Sequence, residues 1–561
     1  MRILVLGGYG TFGGRLVRLL AGEARLTILV AGRSQAKAAA FATALPAAAR
    51  IVPLAFDRDG DLAAKLGAAA PHVVVDASGP FQTYGARPYR VVEACLALGI
   101  DYLDLADGAD FVEGIARFDA AARGRGVFVL AGVSTCPVLT AAAARRLLRP
   151  GDALETIAAG IAPSPFAGLG RNVVRAIASY AGKRVALRRE GRRVSGHALI
   201  DSMRFTIAPP GALPLRRIRF ALVDVPDLRV LPGLWPELKS VWFGAGPTPA
   251  LLHRGLWALA WLVRLRLPRS LAPFAGIFHF AMNRLRCGER RGGMFVAVTG
   301  RDAGGARFSR AWHMAAEGDD GPFIPSMAAA AVLRRLLEGK RPAPGARAAV
   351  NELELADYEA QFAARRIVAG CRNDATERDS TPLFPRILGS ACDLLHEPIR
   401  ALHARGTQRW QGMAAVERGR GILARLVAGI FGFPRAAAAA PITVDIAVSQ
   451  GAERWRRSFG GRGFSSRLTA GRGRWERLLV ERFGPFAFGI ALVREGASLR
   501  YVVRRWSLFG LPLPSAWAPG GATREFDDAG RFGFDVEIRH ALIGLVVRYK
   551  GWLEPAGVAM P

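Results

Sequence analysis

The stretch ILVLGGYGTFGG, residues Ile3–Gly14, decides the fold of the first part of this chain. Its apolar run Ile3–Leu6 predicts a short buried strand, and the residues after the stretch predict a helix. Between strand and helix, Gly8, Gly10 and Gly13 form the pattern G-x-G-x-x-G. Such glycines permit a tight turn, close approach of the backbone to a pyrophosphate, and close packing of the helix on the strand. The stretch therefore predicts a dinucleotide-binding loop.

Strands and helices alternate throughout residues 1–150. Repeated strand–helix units of this kind are typical of an α/β fold, a Rossmann-type doubly wound parallel sheet with right-handed crossovers. Ligands of such sheets bind beyond the carboxyl ends of the strands. The residues that follow the predicted strands are Gly8–Gly13, Arg33 and Ser34, Asp57, Gly79–Phe81, Asp107, and Ser134–Pro137.

Two further domains are predicted after residue 150. Residues 151–355 mix strand and helix patterns, which indicates an α+β domain, and its last helix, Met327–Leu337, returns to the first domain before a loop at Gly339–Ala346. Residues 370–385 are polar and predict a linker. Residues 385–561 alternate apolar and polar side chains, which indicates a mostly antiparallel β domain, either a curved sheet or a half-barrel.

The charge of the chain is strongly basic: its 561 residues carry a formal net charge of +31. Such a balance is typical of nucleic-acid-binding proteins, but no nucleic-acid-binding module is visible, and we expect no nucleic-acid partner. Arginines cluster at 264–269 and 284–291, beside the apolar run Leu251–Leu267. A membrane-contacting surface through residues 251–291 and a solvated arginine-rich face both fit this pattern.

The cysteines and the N-terminus indicate the compartment. The cysteines show no metal-ligand spacing and no pairing pattern, so we expect no metal site and a reducing environment. Met1 leads directly into the first strand without a secretory pattern. We therefore expect a cytoplasmic protein, either free or peripheral at the inner face of the membrane. The cysteines are Cys95, Cys136, Cys287, Cys371 and Cys392.

The end of the second predicted strand selects the cofactor. NAD enzymes usually carry Asp or Glu there for the ribose 2′-OH, whereas this chain has Arg33 and Ser34. Because a guanidinium binds phosphate through charge-assisted hydrogen bonds, we predict NADP(H), against the alternative of a surface arginine in an arginine-rich chain. The spacing of Gly7, Gly10 and Gly13 also fits short-chain dehydrogenases, but no tyrosine here has their lysine four residues later.

Residues 1–355 resemble the saccharopine dehydrogenase-like NADP-binding family. Residues after about 385 resemble an uncharacterised bacterial domain often fused behind such reductases. This resemblance implies a bacterial source and does not indicate what the domain does. The motifs that carry the first resemblance are GGYGTFGG, AGRS, DASGPFQTYG (Asp76–Gly85), VVEACLALGIDYLDLADG (Val91–Gly108), AGVSTCP (Ala131–Pro137) and Gly321–Arg347. The second is carried by ERGRG (Glu417–Gly421), Trp455–Ser466 and Gly533–Leu553.

The resemblance implies an NADP(H)-dependent oxidoreductase. Relatives act on lipid-like acyl or polyketide substrates as enoyl reductases, and the amino-acid-binding residues of true saccharopine enzymes cannot be placed on this sequence. We therefore expect reduction of a carbonyl or enoyl group of an apolar or lipid-linked small molecule. The implied cofactor residues are Gly8, Gly10, Thr11, Phe12 and Gly13 at the pyrophosphate, Arg33 and Ser34 at the adenosine phosphate, Asp57 near adenine, and Ser78, Gly79, Pro80 and Phe81 near the nicotinamide.

A reductase also needs a proton donor. The candidates are Tyr84, Tyr102, Asp107 and Cys136. Cys136 lies near the start of a predicted helix, where a thiol pKa falls. Each candidate also has a structural interpretation, as loop packing, a helix cap or a small buried side chain, and His313 is predicted to be structural. The alternative function is a non-catalytic membrane-associated scaffold or sensor that keeps the nucleotide fold and binds lipid through its C-terminal sheet.

Overall fold

The computed structural model describes residues 1–168, 170–247, 249–267, 270–284, 286, 288–373, 381–404 and 406–556. These residues form two compact units. The first unit comprises Met1–Phe205 and Ile218–Ala369, and the second comprises Thr206–Arg217 and Gly370–Pro561. The domain boundaries expected from the sequence, at 1–150, 151–355 and 385–561, stay predictions beside this division.

The first unit begins with alternating strands and helices, as the sequence predicts. Six strands lie parallel in the order β3-β2-β1-β4-β5-β6, so the direction of winding reverses between β1 and β4. Such a reversal creates a ligand crevice at the carboxyl ends of the strands. The elements are β1 (Arg2–Leu6), α1 (Gly13–Leu20), β2 (Thr27–Gly32), α2 (Gln35–Thr43), β3 (Arg50–Ala55), α3 (Leu62–Ala69), β4 (Val73–Asp76), α4 (Arg90–Leu98), β5 (Asp101–Asp104), α5 (Ala109–Gly114), α6 (Asp119–Gly124), β6 (Phe128–Ala131) and α7 (Thr140–Leu147).

A mixed sheet follows, which confirms the α+β middle region. Its strands run in the order β10-β11-β12-β7-β13-β14-β16, and β8 with β9 form a separate hairpin. The elements are β7 (Ala153–Ala162), α8 (Arg171–Tyr180), β8 (Arg184–Arg189), β9 (Arg192–His197), β10 (Ser202–Phe205), β11 (Ile218–Leu222), α9 (Asp227–Val230), β12 (Ser240–Ala245), α10 (Ala250–Arg264), α11 (Ala275–Arg284), β13 (Arg291–Arg301), β14 (Arg307–Glu317), α12 (Ile324–Leu337), β15 (Gly345–Ala348), α13 (Leu355–Phe362) and β16 (Ile367–Asn373).

Helix α12 returns to the nucleotide domain, as the sequence predicts. The Ser326 hydroxyl donates to the Phe12 carbonyl at 2.9 Å, and the Arg334 guanidinium donates to the Leu19 carbonyl at 2.6 Å. Both acceptors lie on or beside α1. The middle of the chain therefore holds the glycine loop and its helix in place.

The loop expected at Gly339–Ala346 is wrong at its end. Gly345–Ala348 forms β15, which pairs parallel with β6 and becomes the seventh strand of the first sheet. Gly345 has a φ of +131°, and a Cβ there would lie 2.5 Å from a carboxylate oxygen of Asp119. The sequence does not reveal this strand, because a segment of four residues is too short to show an apolar periodicity.

The linker expected at 370–385 is also corrected in its first part. Strand β16 runs through Asn373, at the edge of the mixed sheet. Residues 374–380 lie outside the described residues. No helix within the described ranges is long and apolar enough to cross a bilayer.

The second unit contains the antiparallel sheet that the C-terminal alternation predicts, and the sheet closes. Its strands run β22-β21-β20-β19-β18-β17-β27-β26-β25-β23-β24, and β22 pairs with β23. The structure is therefore a closed ten-stranded barrel with β24 outside, rather than a half-barrel. The elements are α14 (Leu383–Leu388), α15 (Glu397–Ala404), β17 (Gln408–Arg418), α16 (Ile422–Ile430), β18 (Ala437–Ser449), β19 (Ala452–Phe459), β20 (Arg462–Ala470), β21 (Leu479–Phe483), β22 (Phe486–Glu495), β23 (Ser498–Leu508), β24 (Leu511–Pro512), β25 (Thr523–Asp528), β26 (Arg531–His540) and β27 (Gly544–Pro555).

Candidate functional site

A cavity of about 640 Å³ opens at the carboxyl edge of the parallel sheet, and we call it the edge cavity. One end is formed by the glycine loop and the residues that follow β2 and β3. Gly79–Phe81, which follow β4, line its middle. Apolar side chains of α8, β12, α10 and α11 line its far end. The cavity thus joins a polar end, rich in backbone groups, to an apolar chamber.

The glycine loop has the geometry that a pyrophosphate requires. Gly7 adopts a φ of +72°, and its carbonyl accepts a hydrogen bond from the Gly10 amide at 2.8 Å. A Cβ on Gly13 would lie 2.3 Å from the Gly7 carbonyl oxygen, and a Cβ on Gly8 would lie 2.9 Å from that of Val5. Any side chain at these positions would force the turn open, so the sequence of glycines is a steric requirement of the loop.

The N-terminus of α1 faces the same loop. Within the described chain, the amides of Thr11 and Phe12 have no hydrogen-bond partner, and Thr11 is exposed. Free amides at the positive end of a helix dipole form a ready anion site. Thr11 and Phe12 both line the edge cavity. These residues fit a dinucleotide pyrophosphate.

The residues after β2 divide their roles. Arg33 is exposed and lines the edge cavity. The Ser34 hydroxyl caps α2 by accepting from the Lys37 amide at 3.3 Å, and the Ser34 amide donates to the Tyr9 hydroxyl at 3.1 Å. Ser34 is not among the cavity-lining residues. The structure therefore brings Arg33 to the site directly, whereas Ser34 fixes the turn that presents Arg33.

Arg58 also lines this end of the cavity, and it was not identified from the sequence. It follows Asp57 after β3, and both residues line the cavity. Its guanidinium lies 3.2 Å from the centroid of the Tyr84 ring, and its Nε atom has no hydrogen-bond partner among the described residues. Arg33 and Arg58 follow neighbouring strands, so two guanidinium groups are available for one phosphate. An arginine directly after a strand-end aspartate was the available signal.

The middle of the cavity rests on a buried hydrogen-bond network. Asp76 is fully buried at the end of β4, and its carboxylate accepts from the Ser78 hydroxyl at 2.6 Å and from the Tyr84 hydroxyl at 3.2 Å. Burial raises the pKa of Asp76, and burial together with the nearby Asp76 raises the pKa of the Tyr84 phenol. Tyr84 does not line the cavity. It therefore supports the loop Gly79–Phe81 from behind.

Two of the other three proton-donor candidates, Asp107 and Cys136, line the cavity. Asp107 is exposed there, and the Gln82 side-chain amide donates to its carboxylate at 3.0 Å. Desolvation by the surrounding protein raises the pKa of Asp107. Cys136 is buried, and this burial, followed by the nearby Asp227, raises its thiol pKa well above the ordinary value.

The expected fall of the Cys136 pKa is therefore wrong. The residue has φ −102° and ψ 119°, inside the distorted turn Thr135–Leu139 that precedes α7. Its backbone is extended rather than at the first turn of a regular helix, and its thiol is enclosed by protein. Without a helix N-terminus aimed at it, the thiol experiences only desolvation and the negative charges around it.

Two further protic residues near Cys136 were not found from the sequence. Tyr180, the last residue of α8, lines the cavity, and burial raises its pKa. Asp227 is fully buried beside Thr140 and Cys136, and burial raises its pKa to about 7. By contrast, Tyr102 is fully buried in β5 and does not line the cavity.

His313, predicted to be structural, is also fully buried, and its ring stacks on Phe205 at a centroid distance of 5.5 Å.

A glycine loop at a helix N-terminus and a strand-order reversal define a dinucleotide-binding α/β domain. Residues 3–130 match the family model described as the saccharopine dehydrogenase NADP binding domain, and residues 395–553 match one described as a domain of unknown function, DUF4166. Both resemblances seen in the sequence are confirmed. The chain is a dehydrogenase-like oxidoreductase of the NAD(P)-dependent class, with a second domain of unassigned role.

The chain is also similar to solved structures of oxidoreductases over part of its length. Saccharopine dehydrogenase (L-Glu forming) from Saccharomyces cerevisiae is 15% identical with a TM-score of 0.46, over 67% of this chain and 100% of that one. Biliverdin reductase from Synechocystis sp. PCC 6803, solved with biliverdin and NADP⁺, is 14% identical with a TM-score of 0.29, over 64% and 98%. Such similarities carry no information on the substrate. No curated protein sequence matches this chain.

Proposed function

We propose that this protein is an NADP(H)-dependent reductase of a carbonyl or enoyl group on an apolar or lipid-linked small molecule. The observation that carries the proposal is the continuity of the edge cavity. One volume of about 640 Å³ connects the nucleotide loop to an apolar chamber. A cofactor at the sheet edge would have its nicotinamide near Gly79–Phe81, at the entrance to that chamber.

The charges that line the cavity favour an apolar substrate. The only cationic side chains among the described lining residues are Arg33 and Arg58, and both lie at the adenosine end. The far end is lined by side chains such as Ile177, Phe243 and Phe278. Since a substrate with several carboxylates needs cationic partners, the chamber does not suit one.

The residues that line the cavity have separate roles in this proposal. NADPH, when bound, supplies the hydride. The glycine loop and the amides of Thr11 and Phe12 would hold its pyrophosphate, and Arg33 with Arg58 would hold its 2′-phosphate. Asp107 is our candidate proton donor, because it lines the cavity and its side chain is exposed there. Tyr180 is a neutral hydroxyl on the same cavity, suited to orient the substrate oxygen.

The cofactor assignment is tested by fluorescence titration of NADPH and NADH. We expect wild type to prefer NADPH, and Arg33→Asp to weaken NADPH by about 10- to 100-fold while leaving NADH nearly unchanged, since a charge-assisted hydrogen bond is worth about 1.5–3 kcal/mol. Arg50→Asp is the matched control, because Arg50 is exposed at the opposite end of β3. Equal affinity of wild type for both cofactors contradicts the assignment.

The reaction is tested by NADPH consumption with a panel of long-chain ketones, aldehydes and enoyl thioesters. We expect Asp107→Asn to lower kcat at least tenfold with NADPH affinity unchanged, because it removes the proton and keeps the shape. Tyr84→Phe is the control, since Tyr84 lies outside the cavity. Absence of NADPH consumption by wild type across the panel would favour a non-catalytic nucleotide-binding scaffold.

Membrane contact through residues 251–291 is part of the proposal. Helix α10 and the residue after it expose Leu251 and Leu265, at 77% and 63%, and α11 exposes Phe280 at 71%. Arg264 and Arg284 are exposed on the same helices. Apolar side chains with flanking arginines suit an anionic membrane surface. Co-sedimentation with phosphatidylglycerol vesicles should fall at least fivefold in Leu265→Glu/Phe280→Glu, and unchanged binding would contradict it.

A further inference from the structure

The interior of the C-terminal barrel is a second cavity, of about 880 Å³, which we call the barrel cavity. It lies wholly within the second unit, and no residue of the nucleotide loop lines it. Barrels of eight or more strands have room for a ligand when side chains do not fill them. The volume is within the range of small-molecule sites.

Strand alternation makes this interior apolar. On β26, Phe532, Phe534 and Val536 line the cavity, and on β22, Phe486 and Phe488 do so. The rings of Phe486 and Phe488 lie 6.4 Å apart and nearly parallel. Such flat aromatic walls bind extended or planar apolar molecules by contact rather than by directed bonds.

A buried polar cluster lies in the largely apolar wall. Arg457 on β19 donates to the Ser466 hydroxyl at 3.0 Å and lies 3.5 Å from the Glu481 carboxylate. Both charged side chains are only 15% exposed. Taking such a pair out of water costs about as much as the attraction returns. Its position inside an apolar barrel is therefore better explained by ligand recognition than by stability.

Tyr549 completes this cluster. It is 5% exposed and lines the cavity, and its hydroxyl has no hydrogen-bond partner among the described residues. Burial raises its pKa to about 12, with Arg457 and Glu481 as its charged neighbours, so the hydroxyl stays protonated. The Arg457 guanidinium and the Tyr549 hydroxyl are both donors. Because Glu481 already balances the charge of Arg457, the acceptor they suit is a neutral oxygen.

The second buried polar group in the barrel is already satisfied. The Glu525 carboxylate accepts from the Tyr501 hydroxyl at 2.6 Å and lies 2.7 Å from His403 Nε2. His403 belongs to α15. Together with α14, this helix covers the end of the barrel at which β17 begins. The ring of Phe384 on α14 stacks on His403 at 3.6 Å. Ligand entry at this end is therefore blocked.

The opposite end of the barrel carries an exposed apolar rim. The strand register places at this end the β17–β18 connection with α16, the turn after β23, and the β26–β27 turn. An apolar rim around an apolar cavity is a feature of ligand entry. The exposed side chains are Ile422 (84%), Leu423 (60%), Leu426 (59%), Ile430 (73%), Phe509 (79%), Leu511 (70%), Trp517 (60%) and Leu542 (85%).

We propose that the C-terminal barrel binds one neutral apolar small molecule, entering at the apolar rim, with a carbonyl or hydroxyl oxygen held by Arg457 and Tyr549. The proposal does not depend on the reductase function, because the two cavities share no residue. It gives the domain of unassigned role a binding activity.

The probe for this site is Nile red, a neutral apolar dye with a carbonyl oxygen, titrated into the full-length protein. We expect saturable binding that Val503→Trp weakens at least tenfold, because Val503 lines the barrel cavity. Val448→Trp, at an exposed position of β18, and Val173→Trp, in the edge cavity, are the controls and should leave the affinity unchanged. Circular dichroism verifies the folding of all three variants, and NADPH binding is a second check for the two barrel variants.

Two outcomes would overturn the site. Loss of the dye in Val173→Trp but not in Val503→Trp would place the binding in the edge cavity. Loss in Phe509→Ser/Leu542→Ser with no effect of Val503→Trp would place the dye on the rim alone. If Val503→Trp does not fold, Val536→Phe fills the same cavity with a smaller change and takes its place.

The polar anchor is tested separately by competition. A long-chain methyl ketone or alcohol should displace Nile red at concentrations at least tenfold lower than the alkane of equal length, and Arg457→Met/Tyr549→Phe should remove that difference. Stronger displacement by the fatty acid than by the ketone would overturn the neutral-oxygen assignment. Equal displacement by ketone and alkane in wild type would overturn the role of Arg457 and Tyr549.

Discussion

The two cavities obtain their polarity from different parts of the chain. In the edge cavity, polar groups come from the main chain and from strand-end loops, as in the amides of Thr11 and Phe12 and the side chain of Arg33. In the barrel cavity, strands form most of the wall, and polarity comes from inward side chains such as Arg457 and Glu481. A single substitution should therefore damage the first cavity through its backbone geometry and the second through an unpaired charge.

The largest expected effect separates the two cavities most sharply. Gly13→Val would place side-chain atoms against the Gly7 carbonyl, where even a Cβ lies at 2.3 Å. We expect NADPH affinity to fall more than 100-fold by calorimetry, with Nile red binding unchanged. Gly22→Ala is the control, since nothing lies within 4 Å of a Cβ there. Parallel loss of both ligands would show that the cavities are not independent.

The second prediction concerns the charge pair in the barrel. Glu481→Leu leaves Arg457 nearly buried without its carboxylate, and we expect the free energy of unfolding to fall by about 2–3 kcal/mol, somewhat below the value for fully buried pairs. The double variant Arg457→Met/Glu481→Leu should recover most of this loss, because no unpaired charge remains. Denaturant unfolding measures both. A double variant as unstable as the single one would mean that packing, rather than charge, sets the cost.

The third prediction uses the buried carboxyl group behind Cys136. Burial raises the folded-state pKa of Asp227 to about 7, above its ordinary value of 3.8. The folded protein binds this proton more tightly than the unfolded chain does, so the stability it provides is complete below pH 3.8 and is lost as the pH rises through 7.

Asp227→Asn should remove this loss of stability at high pH. We expect the variant to be more stable than wild type by about 1–2 kcal/mol at pH 8, because it avoids a buried charge but leaves an amide to be satisfied, and to differ little at pH 4. Thermal unfolding at the two pH values measures the difference, with the exposed Asp319→Asn as control. A variant advantage that is the same at both pH values would contradict the assigned pKa.

The smallest effect is expected at Tyr84. Tyr84→Phe removes one of the hydrogen bonds to Asp76, while the Ser78 hydroxyl and amide still donate to that carboxylate. NADPH affinity should change less than threefold, measured by the same calorimetry. A loss of NADPH affinity above tenfold would indicate that Tyr84 contacts the cofactor directly rather than supporting the loop.

The contrast also explains how much the sequence could predict. The Gly8–Gly13 motif and the residues after each strand identify the edge cavity, because the physical requirements are local and contiguous in the chain. Tyr180 was not found, since nothing in its neighbours marks which surface it faces, whereas Arg58 was not found although it directly follows Asp57. The expected direction of the Cys136 pKa shift was wrong because it depends first on burial of the thiol and then on Asp227, and both come from residues distant in sequence.

The strands of the barrel were predictable from the sequence, whereas the closure of the barrel and its internal cavity were not. Alternation along Phe532–Ile538 predicts one buried and one wet face. The apolar residues do line the barrel cavity, but Gly533 and Asp535 on the other face are buried as well, so the expected wet face is wrong at those two positions. Closure depends on pairing between β22 and β23 and on two helices that cover one end. Neither the volume inside nor the placement of Arg457 and Tyr549 on the wall of one cavity is encoded within a single segment.

The pairing of β15 with β6 has a consequence for synthesis of the chain. Strand β6 ends at Ala131, and its outer neighbour begins only at Gly345. At a translation rate of roughly 5–20 residues per second, the edge of the nucleotide sheet stays unpaired on the ribosome for about 10–40 s. During that interval α1 also lacks α12. A nascent chain of the first 150 residues should therefore require chaperone protection. A chain truncated or terminated near residue 150 should aggregate.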